Sequence, residues 1–278
     1  MDELRAEQID FWDGTKGDRW ANAQTFMDGM LKAFSEPLVK AVAAGPARAV
    51  LDVGCGNGAT TLAMARVAAP DSQIAGIDIS QAMLKNAMAD ASRAGIAIDY
   101  IYADAQDHTF GGGKYDLIVS RFGVMFFADP ILAFRNLRGA TADDGKLVLV
   151  VWREPEINPL LTVARKAAAP LLPELPTREP TWPGPFAFAS PDHVRGVLTG
   201  SGWGDVELEP IDRDCTFPTD QLETYLGKLA PVGHDLDGMD DGLRAQVLDA
   251  VRKAYEPFID GPDVRFKGCA WVVRAKAG

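Results

Sequence analysis

The sequence predicts an α/β fold in which a mostly parallel sheet of seven strands carries helices on both faces. Three observations lead there. Between residues 49 and 154, short β-branched runs alternate with longer segments of helical period, the pattern of parallel strands joined by crossover helices. Three glycines at alternate positions, Gly54, Gly56 and Gly58, separate the first strand of that series from its first helix. Two further strand-like runs after residue 200 bring the count to seven.

Taken in order, strands are expected at 49–54, 73–79, 98–105, 115–123 and 145–152, and helices at 59–69, 80–94 and 129–139. Ser80 and Asp129 stand where N-caps belong, Pro130 suits a first helical turn, and Gly95 marks a helix stop. Residues 155–190 break the rhythm. They are too proline-rich for one regular element and too apolar for a disordered linker, so an ordered insertion is expected, opening with a helix at 158–169. A helix at 190–201, a strand at 205–212, helices near 219–229 and 240–256, and a strand at 263–275 complete the chain.

At 278 residues and 47% hydrophobic, the chain can bury a full core. A formal net charge of -11 disfavours nonspecific attraction to nucleic acid or anionic membrane, because phosphate binding depends on Lys and Arg displacing counterions. A neutral or cationic small ligand suits this field. Three widely spaced cysteines, Cys55, Cys215 and Cys269, point to neither a disulfide framework nor a metal site. The charged, acidic N-terminus is unlike a secretory signal, and no apolar run approaches the roughly 20 residues of a membrane span, so a cytoplasmic location without membrane insertion is expected.

A glycine loop between strand and helix lets a ligand approach the backbone closely, and the helix behind it offers unpaired N–H groups. The loop lacks the Lys-Ser/Thr of a nucleoside triphosphate site, and its G-x-G-x-G spacing departs from the G-x-G-x-x-G of dinucleotide sites. Asp52, two residues before the first glycine, would repel a pyrophosphate and attract an ammonium group. Asp78, closing the second strand, is placed to accept hydrogen bonds from ribose hydroxyls. Asp104, closing the third, suits an exocyclic adenine amine. Together they describe a ligand made of adenosine joined to something zwitterionic.

In those residues the chain resembles the class I S-adenosylmethionine-dependent methyltransferases. "LDVGCGNG", "GIDIS", "YADAQD", "YDLIVSRFGVMFF" and "ATADDGKLVLV" are similar to that family's successive motifs, in its order and spacing. The resemblance is strong over about 49–154 and weak through the last two strands. It implies a Rossmann-like sheet whose last strand is antiparallel, and S-adenosylmethionine as cofactor with S-adenosylhomocysteine as product. It also implies that Asp52 and the loop Gly54, Cys55, Gly56 and Gly58 hold the methionine end and that Asp78 binds the ribose. Ile79 and Met83 would then pack on the adenine, Asp104 and Ala105 read its edge, and Ser120 and Arg121 complete the set. The division that follows is a helical lid over 1–45, the cofactor-binding core over 46–154, a substrate-side insertion over 155–190, and the rest of the sheet over 191–278 with a helical insertion at 219–256.

The acceptor side is less explicit. Ser120-Arg121-Phe122-Gly123 follows the fourth strand where an amide-methylating enzyme would carry N/D-P-P-Y/F, which argues against adenine or glutamine acceptors. Aromatic residues gather outside the core: Phe11, Trp12 and Trp20 near the N-terminus, Phe122, Phe126 and Phe127 after the fourth strand, Trp182, Phe186 and Phe188 in the insertion. These are the candidates for an apolar pocket, and the resemblance is nearest to bacterial quinone and small-metabolite methyltransferases. The expected reaction is O- or C-methylation of a small, largely apolar acceptor by in-line transfer. His234 is the weak candidate for a base, and His108 and His193 lie in no constellation. A cofactor-binding regulatory protein without turnover is the alternative, because the loop and the acids establish binding rather than chemistry.

Overall fold

The computed structural model describes residues 2–45, 47–172, 179–230, 236 and 238–278. Four N-terminal helices, α1 (Asp2–Asp13), α2 (Thr15–Asn22), α3 (Gln24–Leu31) and α4 (Glu36–Ala43), precede the first strand. Then come β1 (Ala49–Val53), α5 (Ala59–Ala65), β2 (Gln73–Asp78), α6 (Gln81–Ala94), β3 (Asp99–Tyr102), β4 (Tyr115–Arg121), α7 (Pro130–Ala140) and β5 (Thr141–Trp152). The remainder is α8 (Pro159–Ala168), α9 (Pro191–Gly200), β6 (Trp203–Pro218), α10 (Leu222–Lys228), α11 (Asp241–Tyr255), β7 (Ile259–Asp260) and β8 (Asp263–Ala277).

The expected caps form. Ser80 Oγ accepts from Met83 N–H and Asp129 Oδ1 from Leu132 N–H, while Gly95 ends α6 in the left-handed region at φ 65°. The sheet runs β3-β2-β1-β4-β5-β8-β6, parallel through β5, with β8 antiparallel to both β5 and β6 as the resemblance implies. The central strands are buried on both faces, which is why they read as continuous apolar runs: Leu51, Ile77, Ile118, Leu147 and Leu149 have no more than traces of exposure. Helix α4 packs on α5, β4 and β5, and α7 on β5 and α9.

Two differences from the expectation concern the C-terminal strands. Among the described residues the sheet has eight strands rather than seven, because a turn at Gly261 (φ 59°) folds the two-residue β7 back on β8. Strand β6 is also twice its expected length, paired with β8 from Trp203 to Pro218. Its outer face is charged, which obscured the strand pattern, yet those charges meet partners on β8: Glu209 with Arg274 at 2.8 Å, Asp214 with Lys267 at 2.9 Å and Asp205 with Lys276 at 2.8 Å. Such charges also protect an edge strand from further pairing.

Strand order reverses between β1 and β4, which opens a crevice at their carboxyl ends. There the two following loops nearly touch. A Cβ on Gly54 would lie 2.7 Å from Gly123 Cα, and one on Gly123 2.7 Å from Val53 O, so the crossing requires glycine from both strands. Among the described residues, no helix is long and apolar enough to cross a membrane.

Candidate functional site

Above that crossing lies a cavity of about 770 Å³, floored by the strand ends and roofed by the N-terminal helices, α8, α10 and residues 183–186. Its two halves differ in construction.

The half over β1, β2 and β3 is polar. Gly54, Gly56 and Gly58 all have positive φ, at 65°, 54° and 77°, but they serve different purposes. Gly54 allows the crossing with Gly123, and Gly58 lies against α6 and β3, where a Cβ would meet Ala87 and the Tyr100 hydroxyl at 2.7 and 2.6 Å. Gly56 alone is open, with only Met83 Sδ at 3.6 Å, and it faces the cavity. Gly58 does not line the cavity, which corrects its expected place in the site.

Four of the loop's amides are already satisfied. Gly54 and Cys55 N–H donate to Ile77 O, Gly58 N–H donates to Cys55 O, and Gly56 N–H donates to Asp78 Oδ2 at 2.7 Å. At Gly56 the loop therefore offers bare Cα surface to the cavity, while the expected unpaired N–H groups belong to the first turn of α5, which no side chain caps. Asp78 holds the turn further by accepting from Ser80 N–H at 2.8 Å, and burial raises its carboxyl above the ordinary range. Asp52 is 1% exposed and accepts from Thr61 Oγ1 at 2.7 Å, and burial pushes its pKa up to about 7. A nearby cation would restore its charge. The Cys55 thiol is buried and pushed well above its usual pKa, so it stays neutral.

Asp104 is where expected, with Ala105, Ile79 and Met83 beside it on the cavity wall. Its partners were not foreseen. Oδ1 accepts from Gln106 N–H at 2.8 Å, and Oδ2 accepts from Arg5 Nε of α1 at 2.7 Å, with Arg5 also reaching Asp107. The N-terminal helices are tied down elsewhere too. Asp13 accepts from Gln81 N–H and from the Tyr102 hydroxyl, Asn86 donates to Ala21 O, and Asn57 donates to Trp20 O.

The other half is apolar. Phe122 follows β4 with φ 62°, a conformation a non-glycine residue seldom adopts, and its ring stacks on Trp152 at 4.0 Å and 5°. Trp12 packs edge-on against Trp20, Phe126 and Phe11. Phe11, Trp12, Trp20, Phe122, Phe126 and Phe186 all line the cavity as expected. Trp182 does not: it is 45% exposed and points away, because residues 183–186 are drawn inward by Gly184 N–H donating to Met125 O. Phe188 is core, packed on Phe134 and His193. Ser120 is fully buried below the cavity and braces Gly123 by accepting its N–H, so it too is removed from the lining.

Arg121 does reach the cavity. Its Nη1 donates to Ser35 Oγ at 3.1 Å and Leu31 O at 3.4 Å, and its Nη2 lies 3.6 Å from Asp28 of α3. His234 lies outside the described residues, and neither His108 nor His193 lines the cavity. Asn158, the "NP" asparagine, is wholly buried with its amide bonded to Arg153 O, Glu154 O and both backbone groups of Cys269, an anchor for α8. Lining residues that sequence reasoning missed include Arg5, Asp28, Trp152, Leu160 and Tyr225. Each stands in an ordinary helix or strand with no local signature.

Comparison with known proteins agrees with this geometry. A family described as "Methyltransferase domain" matches residues 50–145. The demethylmenaquinone methyltransferase of Renibacterium salmoninarum is 26% identical over 192 residues, which covers 66% of this chain and 78% of that protein. The nocamycin O-methyltransferase of Saccharothrix syringae is 27% identical over 192 residues, covering 64% and 66%. A crystal structure of a putative methyltransferase from Bacillus halodurans superposes with a TM-score of 0.59 at 18% identity, covering 88% of this chain and 99% of that one, a likeness of fold.

Proposed function

Starting from the premise that this chain is a class I S-adenosylmethionine-dependent methyltransferase, we propose that it methylates a small, largely apolar acceptor through a hydroxyl or the ring carbon that hydroxyl activates. The observation that carries this is the division of one cavity into a carboxylate-lined half on the strand ends and an aromatic half facing it.

The residues present fit the cofactor. Gly56 leaves a cradle that a side chain would occupy, and buried Asp52 is an acid that gains by meeting a cation. Asp78 retains lone pairs for ribose hydroxyls, while Ile79 and Met83 offer an apolar surface for a base. Asp104 and Ala105 are placed for the adenine edge once Arg5 shares Asp104. S-adenosylmethionine, when bound, supplies an electrophilic methyl group. What this chain's residues do is hold the acceptor in line and exclude water, which is the larger part of catalysis for a displacement of this kind. The Phe122–Trp152 stack and the Trp12 cluster are the surfaces that do so. The two relatives, one acting on demethylmenaquinone and one an O-methyltransferase, support a quinone-like acceptor or one methylated at oxygen.

Two measurements test the proposal. Calorimetry should show S-adenosylhomocysteine binding well ahead of NAD, and the reverse order would sink the cofactor reading. A labelled-methyl assay over phenols, hydroxyquinones, thiols and amines should find turnover among the first two classes. Turnover confined to thiols or amines would overturn the acceptor.

A further inference from the structure

Four carboxylates line the described cavity wall, and three of them are held by donors of the protein: Asp52 by Thr61, Asp78 by two backbone amides, Asp104 by Arg5 and Gln106 N–H. Asp28 is different. It projects from α3, which also turns Met27, Met30 and Leu31 toward the cavity, and it is half-buried. Among the described residues its partner is the Arg121 guanidinium alone, in an ion pair at 3.6 Å, and no backbone N–H or hydroxyl holds it. Arg121 is also held by Ser35 Oγ and Leu31 O, and the next residue along the chain is Phe122, whose ring forms part of the apolar wall. Asp28 thus lies where the polar and apolar halves meet, with lone pairs open to the cavity and a fixed cation behind it.

The remaining groups on the described wall are poor proton acceptors. No histidine lines it, the Cys55 thiol is neutral, and the Tyr225 phenol is pushed well above its usual pKa by burial while donating to Leu160 O. The charged groups facing Asp28 are Arg121 at the end of β4, Asp90 on α6 and, beyond Arg121, Asp52 on β1. Burial and Asp90 raise the Asp28 carboxyl, and Arg121 opposes them. The result is a carboxylate more basic than an exposed aspartate.

We propose that Asp28 is the general base of this enzyme, receiving the hydroxyl proton of the acceptor as the methyl group is transferred. The assignment rests on the hydroxylated acceptor proposed above. In the step, the acceptor's O–H bond breaks and its proton passes to an Asp28 oxygen. At oxygen, the electron pair released forms the new bond to the methyl carbon; at the conjugated ring carbon, that pair becomes the carbonyl π bond, a ring π pair forms the bond to methyl, and tautomerisation then moves the ring C–H proton to the oxygen. The sulfur–methyl bond breaks with its pair left on a neutral thioether. The sulfonium's positive charge and Asp28's negative charge cancel, and Arg121 remains protonated throughout.

The test is Asp28→Asn with two probe phenols: 4-methylphenol, which ionises near 10 as tyrosine does, and the much more acidic 4-nitrophenol. Loss of a general base should lower the rate on 4-methylphenol by about 10²-fold or more and on 4-nitrophenol severalfold at most. S-adenosylhomocysteine affinity should not change. A binding readout stands apart from activity: absorbance of 4-nitrophenol bound with S-adenosylhomocysteine should show its ionisation at lower pH in the variant, where Arg121 pairs with the phenolate unopposed. Equal loss on both phenols, an unshifted absorbance titration, or weakened S-adenosylhomocysteine binding would each overturn the role of Asp28 alone. If the wild-type protein methylates neither phenol while binding S-adenosylhomocysteine, the hydroxylated acceptor falls and Asp28 as base falls with it.

Discussion

The two halves of the cavity are built on opposite principles. Over β1 and β2 the surface is backbone and short side chains, set by hydrogen bonds between residues close in sequence or on adjacent strands, such as Gly56 N–H to Asp78 and Thr61 to Asp52. Over β4 and β5 it is side chains, gathered from α1, α3, α8, α10 and the insertion, and packed by aromatic contact. A backbone site tolerates almost no substitution, because φ and clearance are fixed. A side-chain site changes shape with each residue. This is the arrangement expected of a fold that keeps one cofactor and varies its acceptor.

The largest effect that would sharpen this contrast is at the loop itself. Gly54→Ala combines left-handed strain of ~1–2 kcal/mol with overpacking of ~1–3 kcal/mol against Gly123, so thermal melting should show severe destabilisation. Gly56→Val carries left-handed strain at φ 54° but meets no such backbone, so it should melt below the wild type yet remain folded by circular dichroism and lose S-adenosylhomocysteine binding. If the two variants behave alike, Gly56 has no special relation to the cavity.

Next in size is Asp78→Ala. Removal of a charge-assisted acceptor is worth ~1.5–3 kcal/mol, at least tenfold in S-adenosylhomocysteine affinity by calorimetry. Unchanged affinity would reduce Asp78 to a brace for the turn. A change on the other side, Phe122→Leu, should leave that affinity intact while raising acceptor KM, and parallel loss of both would erase the distinction between the halves.

Asp52 makes a pH prediction. Its folded pKa of about 7 lies above the ordinary 3.8, so between those values the native state holds a proton that the unfolded chain has lost. Its contribution to stability therefore falls as pH rises through that window, by at most about 1.4 kcal/mol per pH unit for one proton. Urea titrations of Asp52→Asn should show a shallower decline between pH 4 and 7 than the wild type, and equal slopes would place the carboxyl in a wetter setting.

The smallest effect expected is at Arg5. Its ion pairs with Asp104 and Asp107 are partly exposed, worth ~0–1 kcal/mol. Arg5→Ala should barely move the melting temperature yet speed proteolysis within α1. Undiminished protection would show that the aromatic cluster around Trp12 holds the helix by itself.

The same division decides how far the sequence could be read. Strands β1 to β5, their helices, the caps at Ser80 and Asp129 and the acids at the strand ends were legible because each depends on periodicity or on residues within a turn of one another. Asp52, Gly54, Gly56, Asp78 and Asp104 reach the cavity for that reason. Gly58 and Ser120 were misplaced because a motif shows that a small or polar residue is needed without showing which way it faces. Trp182 failed because aromatic content identifies a roof without saying which ring turns inward.

By itself, then, the sequence determined the chemistry that local geometry can carry: a glycine turn with no pyrophosphate partner, acids on successive parallel strands, and a net charge unsuited to polyanions. Only the tertiary structure decided that Arg5 reaches across 99 residues to Asp104 and that Asp28 stands before Arg121, 93 positions away. Such contacts leave no local trace because each depends on where whole helices settle on the sheet, and burial in the shared core sets that placement rather than any pairing of neighbours in the chain.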